Sequence, residues 1–94
     1  MPDEKLARAI RSQIRRDILH ILYDKEKVSV HEIAKKLNLS ESSASKNLKL
    51  LYDLGFINFE NKPPEKFYFL KIKEIGELFQ VYDKIVEKIK EGKK

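Results

Sequence analysis

Two short amphipathic segments joined by only three residues constrain this chain more than any other feature. Ser29-Val30-His31-Glu32 predicts a capping box, with the Ser29 hydroxyl and the Glu32 carboxylate each satisfying an orphan backbone N–H. Val28 before the cap and Ile33 after it complete a hydrophobic staple. Ile33, Ala34 and Leu37 form the inner stripe, while Lys35 and Lys36 face water. Asn38 suits the left-handed residue that stops a helix. Ser40 then caps a second helix, on which Ala44, Leu48 and Leu51 recur at helical spacing as far as Leu54. Gly55 ends it as a glycine does just past a helix C-terminus. The small Ala34 lies where the two helices approach, and Leu39 plugs the joint. Residues 29–54 are therefore the sequence form of a helix-turn-helix.

The flanking blocks complete a mainly α domain with a small β-hairpin, in the order α-α-α-α-β-β-α. From about Glu4 to Asp24, Leu6, Ile10, Ile14, Ile18, Ile21 and Leu22 mark one helical face. Ser12 can cap a second start, which predicts a break near Arg11–Gln13. After the helix-turn-helix, Phe56–Glu60 and Phe67–Leu70 are β-prone, with turn material from Asn61 to Lys66 between them. A hairpin in this place, about residues 56–71, is a wing. Ile75, Leu78, Phe79, Tyr82, Ile85, Val86 and Ile89 then form a stripe along a helix over about 73–91, roughly 27 Å long. Gly92-Lys93-Lys94 reads as a frayed end. Residues 1–94 are expected to form one domain.

Several kinds of chemistry find no residues here. With no cysteine there is no disulfide frame, thiolate metal site or cysteine nucleophile. His20 and His31 are too few for a histidine-rich metal centre, and each reads as structural or exposed. The three glycines are too scattered for a phosphate loop, and no histidine stands at helical spacing to activate Ser42, Ser43 or Ser45. The reading is a non-enzyme without cofactor or metal. No apolar run approaches the ~20 residues of a membrane span, so no membrane partner and a cytoplasmic location are expected.

Binding fits the residues better. The chain carries a formal charge of +5. Residues 1–49 hold eleven cations against seven acids, and residues 50–94 hold nine against eight, so the excess lies with the helix-turn-helix. Its second helix offers Ser42, Ser43, Ser45, Lys46, Asn47 and Lys49 on faces left free by the apolar stripe, with Ser40 at its start. Hydroxyl, amide and ammonium groups of this kind contact phosphates and base edges in a major groove. Lys62 and Lys66 flank Pro63-Pro64 at the wing tip, where a stiff basic hairpin can lie along a phosphate backbone, although Glu60 and Glu65 oppose this. Arg8, Arg11 and Arg15 share a face, open to a solvated flank, a phosphate contact or an intersubunit role. The long final stripe exceeds what a small core needs. It predicts a homodimer built from Leu6, Ile10, Ile75, Leu78, Phe79, Tyr82, Ile85, Val86 and Ile89.

The stretch from Val30 to Ile57 resembles ArsR-type (ArsR/SmtB-like) winged-helix regulators. It follows that family's run of a polar capped helix, Leu39-Ser40, serines and a basic residue, Leu48-Lys49-x-Leu51, and Gly55 followed by two apolar residues. Arg15, the Ile18-Leu19 pair and Tyr68-x-Leu70 extend the likeness over most of Arg11–Leu70. The pattern separates winged helices from other folds more sharply than it separates this family from MarR-like or other archaeal winged-helix regulators. The resemblance implies a homodimeric repressor on pseudo-palindromic double-stranded DNA, with Ser42, Ser43, Ser45, Lys46 and Asn47 facing bases. Metal-sensing members use Cys-x-Cys in the first helix of the motif, or Asp, His and Glu on the last helix. Val30–Leu37 has no Cys, and the last helix has Asp83 and Glu87 without His. The effector therefore stays open. A winged-helix protein–protein module is the alternative reading.

Overall fold

Ser12 divides what apolar spacing alone would allow to be one long helix. In the computed structural model, which describes residues 2–92, its backbone is extended and its hydroxyl accepts from the Arg15 N–H at 3.4 Å. Helix α1 (Pro2–Arg11) ends there and α2 (Gln13–Asp24) begins. The last carbonyls of α1 would otherwise lack donors. Arg15 supplies two, from Nε and Nη2 to the Arg8 carbonyl at 3.0 and 2.6 Å. Arg16 donates to the Ile10 carbonyl and lies over the Tyr82 ring. Two of the four arginines thus staple the α1–α2 elbow. Burial first, then repulsion from Arg8 and Arg11, holds the Arg15 pKa below its ordinary value.

The chain continues through β1 (Val28–Ser29), α3 (Val30–Leu37), α4 (Glu41–Asp53), β2 (Ile57–Lys62), β3 (Glu65–Leu70) and α5 (Glu74–Glu91). This is the expected winged helix-turn-helix, with one element added. Val28 and Ser29 pair with Tyr68 and Phe67, making β1 the third strand of an antiparallel sheet ordered β1-β3-β2. One half of the expected capping box forms. The Ser29 hydroxyl accepts from the Glu32 N–H at 3.2 Å, as predicted. The Glu32 carboxylate turns away from the cap and meets Lys25 at 2.7 Å, a contact that holds its pKa below the usual carboxylate range. Asn38 takes the left-handed conformation, φ 55°, and Gly55 takes φ 91°.

The hairpin is longer than its composition suggests. Asn61 pairs with Lys66 and Lys62 with Glu65, so four residues assigned to the turn are strand, and only Pro63-Pro64 turns. Strand register rewards whole-length cross-strand pairing, which outweighs the local turn preference of Asn61.

The core gathers around α2. Ile18 and Leu19 are fully buried, as are Ile33 of α3, Leu48 and Leu51 of α4, Val28 of β1 and Phe79 of α5. Each such side chain contributes roughly 1.5–3 kcal/mol relative to exposure. The α5 stripe divides in two. Ile75 and Phe79 belong to the core of their own chain, so spacing assigned them wrongly to a face that a second copy could reach. Tyr82 and Val86 follow them half-buried. Leu78, Ile85 and Ile89 point outward at 42–56% exposure, joined by Val81, which the spacing did not single out. Leu6 and Ile10 pack half-buried against the core. Of the frayed end, Gly92 follows α5, while Lys93 and Lys94 lie outside the described residues.

Gly76 sets the distance between α5 and α2. A Cβ on it would lie 2.1 Å from the Tyr23 Cδ1 and 2.8 Å from the Tyr23 Cβ, inside contact range. Gly76→Ala should therefore destabilise the protein by about 1–3 kcal/mol through overpacking, although alanine favours a helix interior by about 1 kcal/mol. Urea unfolding checks this. The penalty should shrink sharply in a Tyr23→Ala background.

Candidate nucleic-acid interface

Helix α4 presents its polar side chains because its apolar ones are anchored. Ala44, Leu48 and Leu51 are fully buried, which turns Ser42, Ser45, Lys46 and Lys49 outward. Ser40 holds the N-terminus, its hydroxyl accepting from the Ser43 N–H at 3.0 Å. Ser43 is half-buried, and its carbonyl accepts from the Asn47 Nδ2 at 2.9 Å. That bond occupies one of the two amide hydrogens of Asn47, leaving its oxygen and second hydrogen for a partner.

The wing lies alongside. One groove is lined by Val30, His31, Glu41, Ser42, Ser45, Pro64, Glu65, Lys66 and Tyr68. A second runs on from it between Ser45, Lys49, Tyr52, Asp53, Phe59, Lys66 and Tyr68. Of the nine residues that the sequence nominates, the fold brings Ser42, Ser45, Lys49 and Lys66 to these grooves. Ser40, Ser43, Lys46 and Asn47 lie on α4 or at its start without lining them, and Lys62 stands across the hairpin. Burial raises the Tyr68 pKa above its ordinary value.

Carboxylates temper the positive charge. Lys49 pairs with Asp53 at 3.1 Å. Lys62 lies 3.9 Å from Glu60, which also takes Lys27 at 2.8 Å and is held below the usual carboxylate range by that contact. Glu41 meets the His31 Nδ1 at 3.1 Å, linking the starts of α3 and α4. Lys66 has none of these partners among the described residues and sits 4.8 Å above the Phe59 ring.

Three aromatic residues to which the sequence reading gave no place at the site line the second groove. The Phe59 ring lies 5.3 Å from Tyr52 and 5.5 Å from Tyr68. Tyr52 follows Ser45 by seven positions and Lys49 by three, which places all three on one helix face. Phe59 faces Tyr68 across the β2–β3 register. The first signal is visible in the sequence. The second needs the pairing.

Asp83, on the last helix, pairs with a histidine of α2. It accepts from the His20 Nε2 at 2.5 Å, with His20 also packed against Phe79. Among the described residues, no group of three or more His, Cys, Asp or Glu is placed to hold a metal ion. No helix there is long and apolar enough to cross a membrane.

The sequence pattern of the MarR family matches residues 12–66. A search among curated proteins finds no match. The structure is similar to HlyU from Vibrio cholerae N16961, with a TM-score of 0.79 and 27% identity over 89% of this chain and 90% of that one. It is similar to the transcriptional regulator HlyU from Vibrio vulnificus CMCP6, with a TM-score of 0.75 and 26% identity over 88% and 85%. The fold also matches a homodimeric winged helix-turn-helix DNA-binding domain from Mycobacterium bovis, described as a possible ArsR-family transcriptional regulator. Its TM-score is 0.82, at 20% identity over 97% and 83%.

The Ser40 cap gives a direct test of how α4 is anchored. Ser40→Ala should lower stability by about 1 kcal/mol, whereas Ser40→Asp should leave it nearly unchanged. Chemical denaturation measures both, and faster amide exchange at Ser43 should accompany the alanine variant alone.

Proposed function

This chain belongs to the MarR family, and from that premise we propose that it is a sequence-specific transcriptional regulator that binds double-stranded DNA as a homodimer. The observation that carries the reading is the division of α4. Its apolar residues Ala44, Leu48 and Leu51 are fully buried, Ser42, Ser45 and Lys49 are exposed in grooves shared with Lys66 of the wing, and Lys46 is exposed on the same helix. In this reading Ser42, Ser43, Ser45, Lys46 and Asn47 face base edges and nearby phosphates. Ser40, Lys49, Lys62 and Lys66 serve the backbone. In this reading residues 1–94 form one domain of ArsR-type architecture. The run from Val30 to Ile57 supports it, with α1 and α5 flanking the helix-turn-helix.

The outer ridge of α5 supports self-association. Leu78, Val81, Ile85 and Ile89 recur along one exposed side of the helix. An apolar ridge of this kind suits a self-complementary two-fold contact. A two-fold axis there would hold two recognition helices at fixed spacing, as a pseudo-palindromic site requires. Such a dimer represses by occupying the promoter.

In vitro selection of bound DNA tests the reading. Enriched half-sites should lie about 10 base pairs apart, or a multiple of that. Lack of enrichment, together with a stable heteromeric complex in pull-down, would instead favour a protein–protein module. Lys46→Ala should weaken binding to all sequences and reduce the salt slope by about 0.9. Asn47→Ala should relax preference at one base position, at a cost of about 1–3 kcal/mol. For the dimer, Ile85→Asp should yield folded monomers by light scattering, and Phe79→Asp should unfold the chain. A folded dimer in the Ile85→Asp variant would refute the α5 assignment.

A further inference from the structure

We propose that Phe59 is a positioning residue that holds Lys66 over the gap between the wing and α4, as the wing's ready-placed cation for a DNA phosphate. The proposal rests on the DNA-binding reading above and adds to it a group that never touches the nucleic acid. Three observations meet here. The Lys66 Nζ lies 4.8 Å from the centre of the Phe59 ring. The ring packs, tilted, against Tyr52 of α4 at 5.3 Å and Tyr68 of β3 at 5.5 Å. Lys66 is common to both grooves along α4, beside Ser42 and Ser45 in one and Ser45 and Lys49 in the other.

The other cations nearby are held differently. Lys49 pairs with Asp53, while Lys27 and Lys62 approach Glu60. A carboxylate partner cancels the field that a phosphate would feel and must be given up on binding. An aromatic face does neither, because it attracts the ammonium through its quadrupole and leaves the charge intact. It also restricts a side chain that otherwise carries much rotamer entropy. Less freedom then remains to be lost when a phosphate arrives. The acids lining the grooves do not pair with Lys66. Glu41 is engaged by His31 and Asp53 by Lys49, and Glu65 is the neighbour of Lys66 along β3. Tyr52 ties this ledge to the recognition helix, so the position of Lys66 is referred to α4 as well as to the wing.

The test is a double-mutant cycle on a DNA site selected with the unaltered protein, read by salt titration of affinity. Lys66→Met should reduce the salt slope by about 0.9, the loss of one phosphate contact. Phe59→Leu should weaken binding roughly two- to ten-fold, the range expected when one long side chain must be ordered on binding rather than beforehand. In the Lys66→Met background it should cost nothing further. Phe59→Tyr, which keeps the ring face, should bind as the unaltered protein does. An equal penalty for Phe59→Leu in both backgrounds would mean a packing role only and would overturn the proposal. So would no penalty at all. A second measurement needs no substitution: the Lys66 ε-methylene protons should be shifted upfield by the Phe59 ring in the free protein. Their absence from the shielded region overturns the placement even where Phe59→Leu fails to fold. If the unaltered protein binds no DNA while the upfield shift is present, the functional reading itself has failed, and this role falls with it.

Discussion

The packing of α2 against every other layer is the constraint on which the remainder of this fold depends. Ile18, Leu19 and Leu22 fill the centre. Around them, Arg15 and Arg16 cap α1, Lys25 reaches Glu32 of α3, and His20 and Tyr23 meet α5. The close approach of Gly76 to Tyr23 has the widest consequence. It admits α5 at one distance and one rotation about its own axis. That rotation puts Ile75 and Phe79 into the core and leaves Leu78, Val81, Ile85 and Ile89 outside. Seating α5 on its own chain and leaving an apolar ridge outside are two results of the same contact.

The grooves beside the wing show a related economy of charge. The net charge of +5 exaggerates what α4 and the wing present. Lys49, Lys62 and Lys27 stand close to carboxylates, and Glu41 meets His31 at the start of α4. Screening acts on what is left over distances of about 10 Å at 0.1 M salt. The field near the grooves is therefore set by a few individually placed cations rather than by a broad basic patch. In such an arrangement the geometry of each ammonium counts for more than the total.

Much of this was legible in the sequence where the signal is local. Ser12, Ser29 and Ser40 each accept from the backbone N–H three residues on, as their place before apolar periodicity implies. Asn38 and Gly55 stand at the two positive-φ positions that stop helices. Two miscarriages of local reasoning share one origin. The second half of the capping box gave way to a Lys25–Glu32 ion pair, and four wing residues read as turn became strand. In each case a partner outside the local segment competed with a local preference. Strand β1 is too short for any periodicity and exists only because β3 offers it an edge.

By itself, the sequence determined the helix-turn-helix, its caps and stops, the wing that follows it and the polar character of α4. All of these follow from side chains within a few residues of one another, acting through backbone hydrogen bonds and helical spacing. Tertiary structure alone decided which half of the α5 stripe is core, which cations keep their charge available, and that Phe59 sits between Tyr52, Tyr68 and Lys66. Those outcomes turn on the rotation of one helix against another and on strand register. Both are fixed by contacts between residues far apart in the chain, such as Tyr23 with Gly76 and Phe59 with Tyr68.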